Sequence, residues 1–171
     1  MGFSYYANLP IEAETLQDDG EKIIKVIRKP LGVVAAITPW NFPVILLAWK
    51  LAPAWLAGNT VVAKPSPYTP LTTLMVADIL KTIVPAGVLN VLSGGNELGA
   101  TLAQHPLVRK ISFTGSVATG KKIMGYAVDD LKRVTLELGG NDPAIVLEDV
   151  NPQAVAESLF STVKSELSDR F

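Results

Sequence analysis

From Leu31 onward, short apolar runs and helical patterns take turns along the chain, and few folds accommodate that rhythm. The apolar runs fall at residues 33–37, 60–63, 88–92, 111–113, 134–136 and 144–147. Between them, residues 43–57 read as a helix that closes at Gly58-Asn59, a favourable C-terminal stop. Thr69-Pro70 is expected to open a second helix as cap and first turn, running to about residue 83. Residues 96–104 and 117–126 give two more, and Asn151-Pro152 caps a final one. Alternation of this kind predicts an α/β fold: a Rossmann-like parallel sheet with right-handed crossovers and helices on both faces. A chain of 171 residues suits one such domain with a real core. Strands buried on both faces would account for a hydrophobic fraction of 49% and a mean hydropathy of +0.32. A second reading of the same numbers is apolar surface that further chain or a subunit normally covers.

The first thirty residues differ. Tyr5 and Tyr6 lead into Leu9-Pro10-Ile11-Glu12, and Asp18-Asp19-Gly20 makes a turn before Lys22-Ile23-Ile24-Lys25-Val26-Ile27-Arg28. Polar residues among β-branched ones, with Asp-Gly favouring a tight reversal, predict an extended β arm over residues 1–29. Such a ribbon usually needs a partner sheet to be stable.

Composition excludes several classes of partner. A formal charge of -1 gives no reason to expect nucleic acid or anionic lipid. With no cysteine, neither a disulfide nor a thiolate metal site can form. His105, before Pro106, reads as ordinary surface, so no metal site is expected. The longest apolar stretch, residues 44–56, falls short of the ~18 residues a span needs and is interrupted by Lys50 and Pro53. No secretory pattern opens the chain, so a cytoplasmic protein is expected.

Three loops sit where buried strands should end, which is where open α/β sheets place their chemistry. In Trp40-Asn41-Phe42-Pro43, Asn41 either caps a helix or offers its amide to a developing oxyanion. In Gly115-Ser116-Val117-Ala118-Thr119-Gly120, a strand-to-helix turn offers free N–H groups and a helix dipole to a phosphate, though Gly plus Ser at a helix start is common. In Glu137-Leu138-Gly139-Gly140, the Glu is either a solvated strand-end residue or a base whose pKa burial would raise. A fourth segment, Lys64-Pro65-Ser66-Pro67, falls where a ribose lies in dinucleotide folds, and Ser93-Gly94-Gly95 is a further permissive loop at that edge.

Taken in order, these segments resemble the aldehyde dehydrogenase superfamily. The match is carried by Pro30-Leu31-Gly32-Val33-Val34, Pro39-Trp40-Asn41-Phe42-Pro43, Ala52-Pro53-Ala54, Gly58-Asn59-Thr60-Val61-Val62, Lys64-Pro65-Ser66, Phe113-Thr114-Gly115-Ser116 and Leu136-Glu137-Leu138-Gly139-Gly140. The resemblance spans about residues 3–160. It implies oxidation of aldehydes to acids with NAD or NADP, through a cysteine nucleophile, a thioester and a glutamate base. It makes Asn41 the oxyanion-hole residue and Glu137 the base. It makes Lys64 and Ser66 ribose contacts, and Gly115 and Ser116 the turn beside the pyrophosphate. It also assigns cofactor contacts to Ile37, Thr38, Pro39, Trp40, Gly99, Phe113, Thr114, Gly120 and Leu138. The early ribbon resembles the family's oligomerisation arm, so a homo-oligomer is expected, with a dinucleotide and a small aldehyde as ligands.

Three departures qualify the match. Pro67 stands where many NAD-preferring members carry an acid, which leaves NADP open. The sequence begins after the family's N-terminal helices. It also lacks the Asn-x-Gly-Gln-x-Cys segment, and residues 161–171 carry no family motif. The expected division is an arm over 1–29, an NAD(P)-binding domain over 30–160 and a non-family tail over 161–171. The thioester route cannot run without a thiol, so this chain is expected to be an inactive truncation of the family's enzyme. The alternative is a non-catalytic dinucleotide-binding or assembly module.

Overall fold

A computed structural model describes residues 2–140, 143 and 145–168. Five strands form one parallel sheet in the order β5-β4-β3-β6-β7. They are β3 (Val33–Ile37), β4 (Thr60–Lys64), β5 (Leu89–Val91), β6 (Val108–Gly115) and β7 (Arg133–Leu138). The chain winds outward from β3 through α2 (Pro43–Leu56), β4, α3 (Leu71–Leu80) and β5. It then returns through α4 (Asn96–Gln104) to place β6 on the other side of β3, and α5 (Val117–Ala127) leads to β7. The change of direction falls between β3 and β6, the position where doubly wound sheets open a crevice beyond the strand ends.

Each face of the sheet has its own core. Val34, Ala36, Val61 and Ala63 pack against Leu47, Leu51 and Ala54 of α2. Ala35, Ile37, Ile111 and Phe113 pack against Leu102 and Ala103 of α4 and Ile123 and Ala127 of α5. The two sets alternate along β3, as side chains of a strand must. The expected sheet with helices on both faces is therefore present.

One asparagine ties the first crossover together. Asn59 Oδ1 accepts from the N–H groups of Leu31, at 2.7 Å, and Gly32, at 3.1 Å, while its Nδ2 donates to the Ala54 carbonyl at 3.1 Å. The side chain is buried, and it links the two N–H groups at the entry to β3 to an α2 carbonyl that also accepts from the Asn59 N–H at 2.9 Å. Gly58 just before it turns the chain at φ +76, where a Cβ would meet Pro30 Cγ at 2.8 Å. A second tether lies at the same, N-terminal end of the strands, beside β7. The Lys132 ammonium is buried, donates to the His105 carbonyl at 2.8 Å and pairs with Asp130 at 2.7 Å. A cation at the C-terminus of α4 also suits that helix's dipole.

Several sequence expectations need correction. Residues 2–7 do not extend the β arm: they form α1 (Gly2–Ala7), whose Phe3 ring stacks 6.0 Å from Trp55 of α2. The arm itself is the antiparallel pair β1 (Glu14–Asp18) and β2 (Ile23–Val26), with hardly a residue shielded from water. Thr69 does not cap α3. Its Oγ1 donates to the Trp40 carbonyl at 2.8 Å, Pro70 takes the cap position, and the helix stops at Leu80. Residues 145–147 form no strand and leave Ile145, Val146 and Leu147 exposed, while Ala144 lies outside the described residues. The cap at Asn151 does form: its Oδ1 accepts from the Gln153 N–H at 2.9 Å and opens α6 (Pro152–Ser168).

Asn59→Ala removes all three of these hydrogen bonds: the half-buried Leu31 N–H loses its partner, the Gly32 N–H lies in an exposed residue, and the Ala54 carbonyl keeps the Asn59 N–H. At ~1–3 kcal/mol for an unsatisfied group, we expect a loss of about 1–3 kcal/mol. Urea unfolding followed by circular dichroism measures it. A loss below about 0.5 kcal/mol would show that water reaches the site.

Candidate functional site

The C-terminal ends of the strands open into two cavities that share the side chain of Thr114. One, of about 510 Å³, lies on the α4 and α5 side. The sequence-predicted residues Ile37, Thr38, Pro39, Trp40, Lys64 and Ser66 line it. So do Gly99, Phe113, Thr114, Gly115 and Ser116. Gly120 and Leu138 do not. They pack on each other, since a Cβ on Gly120 would come within 2.7 Å of Leu138 Cδ2, and this contact seats α5 on the end of β7. Leu138 also borders the second cavity.

The first cavity is built to receive oxygen atoms. Lys64 is 5% exposed, although a lone lysine at a strand end is usually solvated. Burial pushes its ammonium below the usual lysine range. Its Nζ donates to the neighbouring Pro65 carbonyl at 3.3 Å. That long bond leaves most of a three-donor group's capacity facing the cavity. Thr38 Oγ1 is buried there without a partner. Opposite them, Ser116 caps α5: its Oγ accepts from the Thr119 N–H at 3.2 Å. Its hydroxyl is thus committed to the cap, and what the turn offers outward is the positive end of the helix. Among the described residues the lining includes Lys122 as well as Lys64 and no carboxylate.

The second cavity, of about 710 Å³, lies on the α2 side and holds both proposed catalytic residues, Asn41 and Glu137. Asn41 does not cap α2, because Phe42 occupies the cap position and Pro43 starts the helix. The capping alternative therefore fails. Glu137 lies within β7, beside Thr114 of β6. It is exposed, which corrects the expectation of a buried base.

Sequence reasoning missed Lys50, which lies between these two. It is 8% exposed, and its Nζ donates to Thr114 Oγ1 at 2.7 Å and Ser112 Oγ at 3.3 Å. Burial lowers its pKa to about 8, with Glu137 opposing the shift and Lys110 adding to it. A signal was present. Leu47, Lys50, Leu51 and Ala54 share the 3, 4, 7 spacing of the buried stripe of α2, so the periodicity buries the lysine with them.

This buried ammonium ties stability to pH. Unfolded, Lys50 holds its proton up to about pH 10.5; folded, it releases the proton near pH 8. The unfolded state therefore binds more protons between these values, and stability must rise across that window as the cost of the buried charge disappears. The full effect is ~3 kcal/mol at most, at 1.36 kcal/mol per unit. Lys50→Met should flatten the rise between pH 8 and 10 relative to the parent chain in urea unfolding. Parallel curves would show that the ammonium reaches water.

The geometry has close counterparts. A model of the aldehyde dehydrogenase family matches residues 2–166, running into the 161–171 segment. The 4-trimethylaminobutyraldehyde dehydrogenase A of Danio rerio is 48% identical over 148 residues, covering 85% of this chain and 29% of that protein. The NAD complex of an aldehyde dehydrogenase from Bacillus cereus superposes with a TM-score of 0.92 at 36% identity, over 96% of this chain and 34% of the other. An NADP-dependent enzyme of E. coli does so at 0.85 and 42%, over 91% and 33%. The chain thus spans about a third of the length of these relatives. With the family match covering nearly all of its residues, the chain belongs to the aldehyde dehydrogenase family.

Proposed function

We propose that residues 30–160 are the dinucleotide-binding part of an enzyme that oxidises small aldehydes with NAD or NADP, and that the first cavity takes the cofactor. The observation that carries this reading is the grouping, on one cavity lining, of the buried Lys64 ammonium and Ser66 with the Ser116 turn that opens α5. Buried charge is expensive, and a ligand rich in hydroxyl and phosphate oxygens relieves that cost. The residues present fit such a group. Lys64 and Ser66 would hold a ribose, and the first turn of α5 at Gly115-Ser116 would face the pyrophosphate. Gly99 leaves the lysine stem room, a Cβ there meeting it only at 3.7 Å. Similar structures include both an NAD complex and an NADP-dependent enzyme, which supports leaving the choice open, as Pro67 does.

When bound, the nicotinamide supplies a hydride acceptor. The chain's own contribution to the reaction lies in the second cavity. There Asn41 would donate its amide to the oxygen of the reacting aldehyde, where charge develops. Glu137 would take a proton from attacking water, its exposure giving that water access. The thiol that the family's chemistry requires is not among these 171 residues, so they cannot run a thioester route alone. A soluble cofactor and a small aldehyde suit an aqueous compartment, and we place the chain in the cytoplasm. We also read the arm as a subunit contact: Ile11, Leu16, Ile23, Val26 and Ile27 are all exposed on it, and a free two-stranded ribbon is marginal in water.

Three results test this. Calorimetry with NAD and NADP should show binding to the parent chain, weakened on the order of tenfold in Lys64→Ala, as loss of one charge-assisted contact implies. An unchanged affinity would place the ribose elsewhere. With either cofactor and a panel of aldehydes, the purified chain should produce no reduced nicotinamide, and turnover that vanishes in Glu137→Gln would overturn that expectation. Replacing residues 13–27 with a short Gly-Ser linker should lower the sedimenting mass, and an unchanged mass would remove the arm from the interface.

A further inference from the structure

We propose that Lys50 is a carbonyl-capturing amine, whose Nζ adds to the carbonyl carbon of a small apolar aldehyde in the α2-side cavity and forms an imine. The proposal shares with the reading above only the identity of the ligand as an aldehyde; it needs no cofactor and no thiol. It rests on where the amine sits. Lys50 Nζ is held by two hydroxyls, Thr114 Oγ1 and Ser112 Oγ, on the floor of a cavity whose outer wall is Phe42, Ile45, Leu46 and Trp49. The wall suits an apolar tail, and Asn41 and Glu137 border the same space. A hydroxyl can accept from an ammonium or donate to a neutral amine, so both protonation states of Lys50 keep a partner.

The environment favours the neutral state near pH 8. Lys50 is the one charged residue of α2; the charges that bear on it are Glu137 from β7 and Lys110 from β6, while β3 carries none, β4 carries Lys64 and α3 carries Asp78, which pairs with Lys81. Lys110 in turn is held to Thr135 Oγ1 at 2.6 Å on the same polar face. At pH 8 about half of Lys50 is free amine, whereas an exposed lysine of ordinary pKa is free to well under ~1%. Desolvated lysines of this kind are the ones that form Schiff bases.

The step balances without an oxidant or reductant. The amine lone pair forms the N–C bond, the carbonyl π pair moves to oxygen, and one N–H proton passes through the Glu137 carboxylate to that oxygen. The second N–H proton then follows to the hydroxyl, which leaves as water while the nitrogen pair closes the C=N bond. One amine and one aldehyde give one imine and one water.

Borohydride trapping tests this on the 171-residue chain. The chain is incubated with benzaldehyde and sodium cyanoborohydride without dinucleotide, and the benzylated lysines are mapped by peptide mass. Lys50 should label ten- to a hundredfold faster than the exposed Lys25 and Lys121, its rate rising through about pH 8. The fast site should be absent in Lys50→Arg. Should that variant misfold, the map of the parent chain decides alone. Labelling of Lys50 no faster than of Lys25 and Lys121, in a chain folded by circular dichroism, overturns the proposal. Because no dinucleotide is present, that failure leaves the cofactor reading to the Lys64→Ala calorimetry.

Discussion

The molecule depends on β3 being covered on every side. It is hydrogen-bonded to β4 and β6, and Val34, Ala35 and Ala36 are at most 2% exposed. The two alanines point to opposite faces, so α2 and the α4–α5 pair both approach the strand closely. That closeness aims the end of β3 into the crevice between its two neighbours. Thr38 follows at the point where its N–H still bonds to the Lys64 carbonyl at 3.1 Å, which holds it at the lining of that crevice. The site is thus a consequence of how the central strand is packed, with the Asn59 clamp fixing where that strand begins.

Much of this was legible in the sequence. Apolar runs bounded by Gly, Asn and Pro located all five strands of the sheet, and Gly58-Asn59, Gly115-Ser116 and Asn151-Pro152 marked helix ends where the structure has them. Local chemistry determined these features, so local reading found them. What escaped was decided by tertiary contact. α1 is short and is held by the stacking of Phe3 on Trp55, fifty-odd residues away in sequence. Thr69 has the makings of a cap, but the Trp40 carbonyl is a nearer partner. Residues 145–147 are apolar enough for a strand and find no neighbour to pair with among the described residues.

The candidate site divides in the same way. Lys64, Asn41 and Glu137 were findable because they lie at or just beyond the ends of strands, where motif and strand end coincide. Lys50 was hidden in the middle of α2, and its apolar surroundings read more readily as a broken membrane-like stretch than as a polar contact. Its meaning depends on Ser112 and Thr114, more than sixty residues onward, which nothing local connects to it.

One strand keeps the two cavities apart. Along β6, Ser112 and Thr114 face α2 and hold the Lys50 ammonium, while Ile111 and Phe113 face α4 and α5 and support the other side. Thr114 stands at the rim, where both cavities meet it. A slip of one residue in the register of β6 would exchange the two sets, setting Phe113 against Lys50 and a threonine in the apolar core. The register is therefore fixed by chemistry on both faces at once, by an ammonium that must be hydrogen-bonded and by a ring that must be buried. The same constraint couples the sites. Glycine at 115 makes room for the Phe113 ring, since a Cβ there would come within 2.6 Å of it. The proposed phosphate turn at Gly115 and the Lys50 partner Thr114 are thus consecutive residues of one strand.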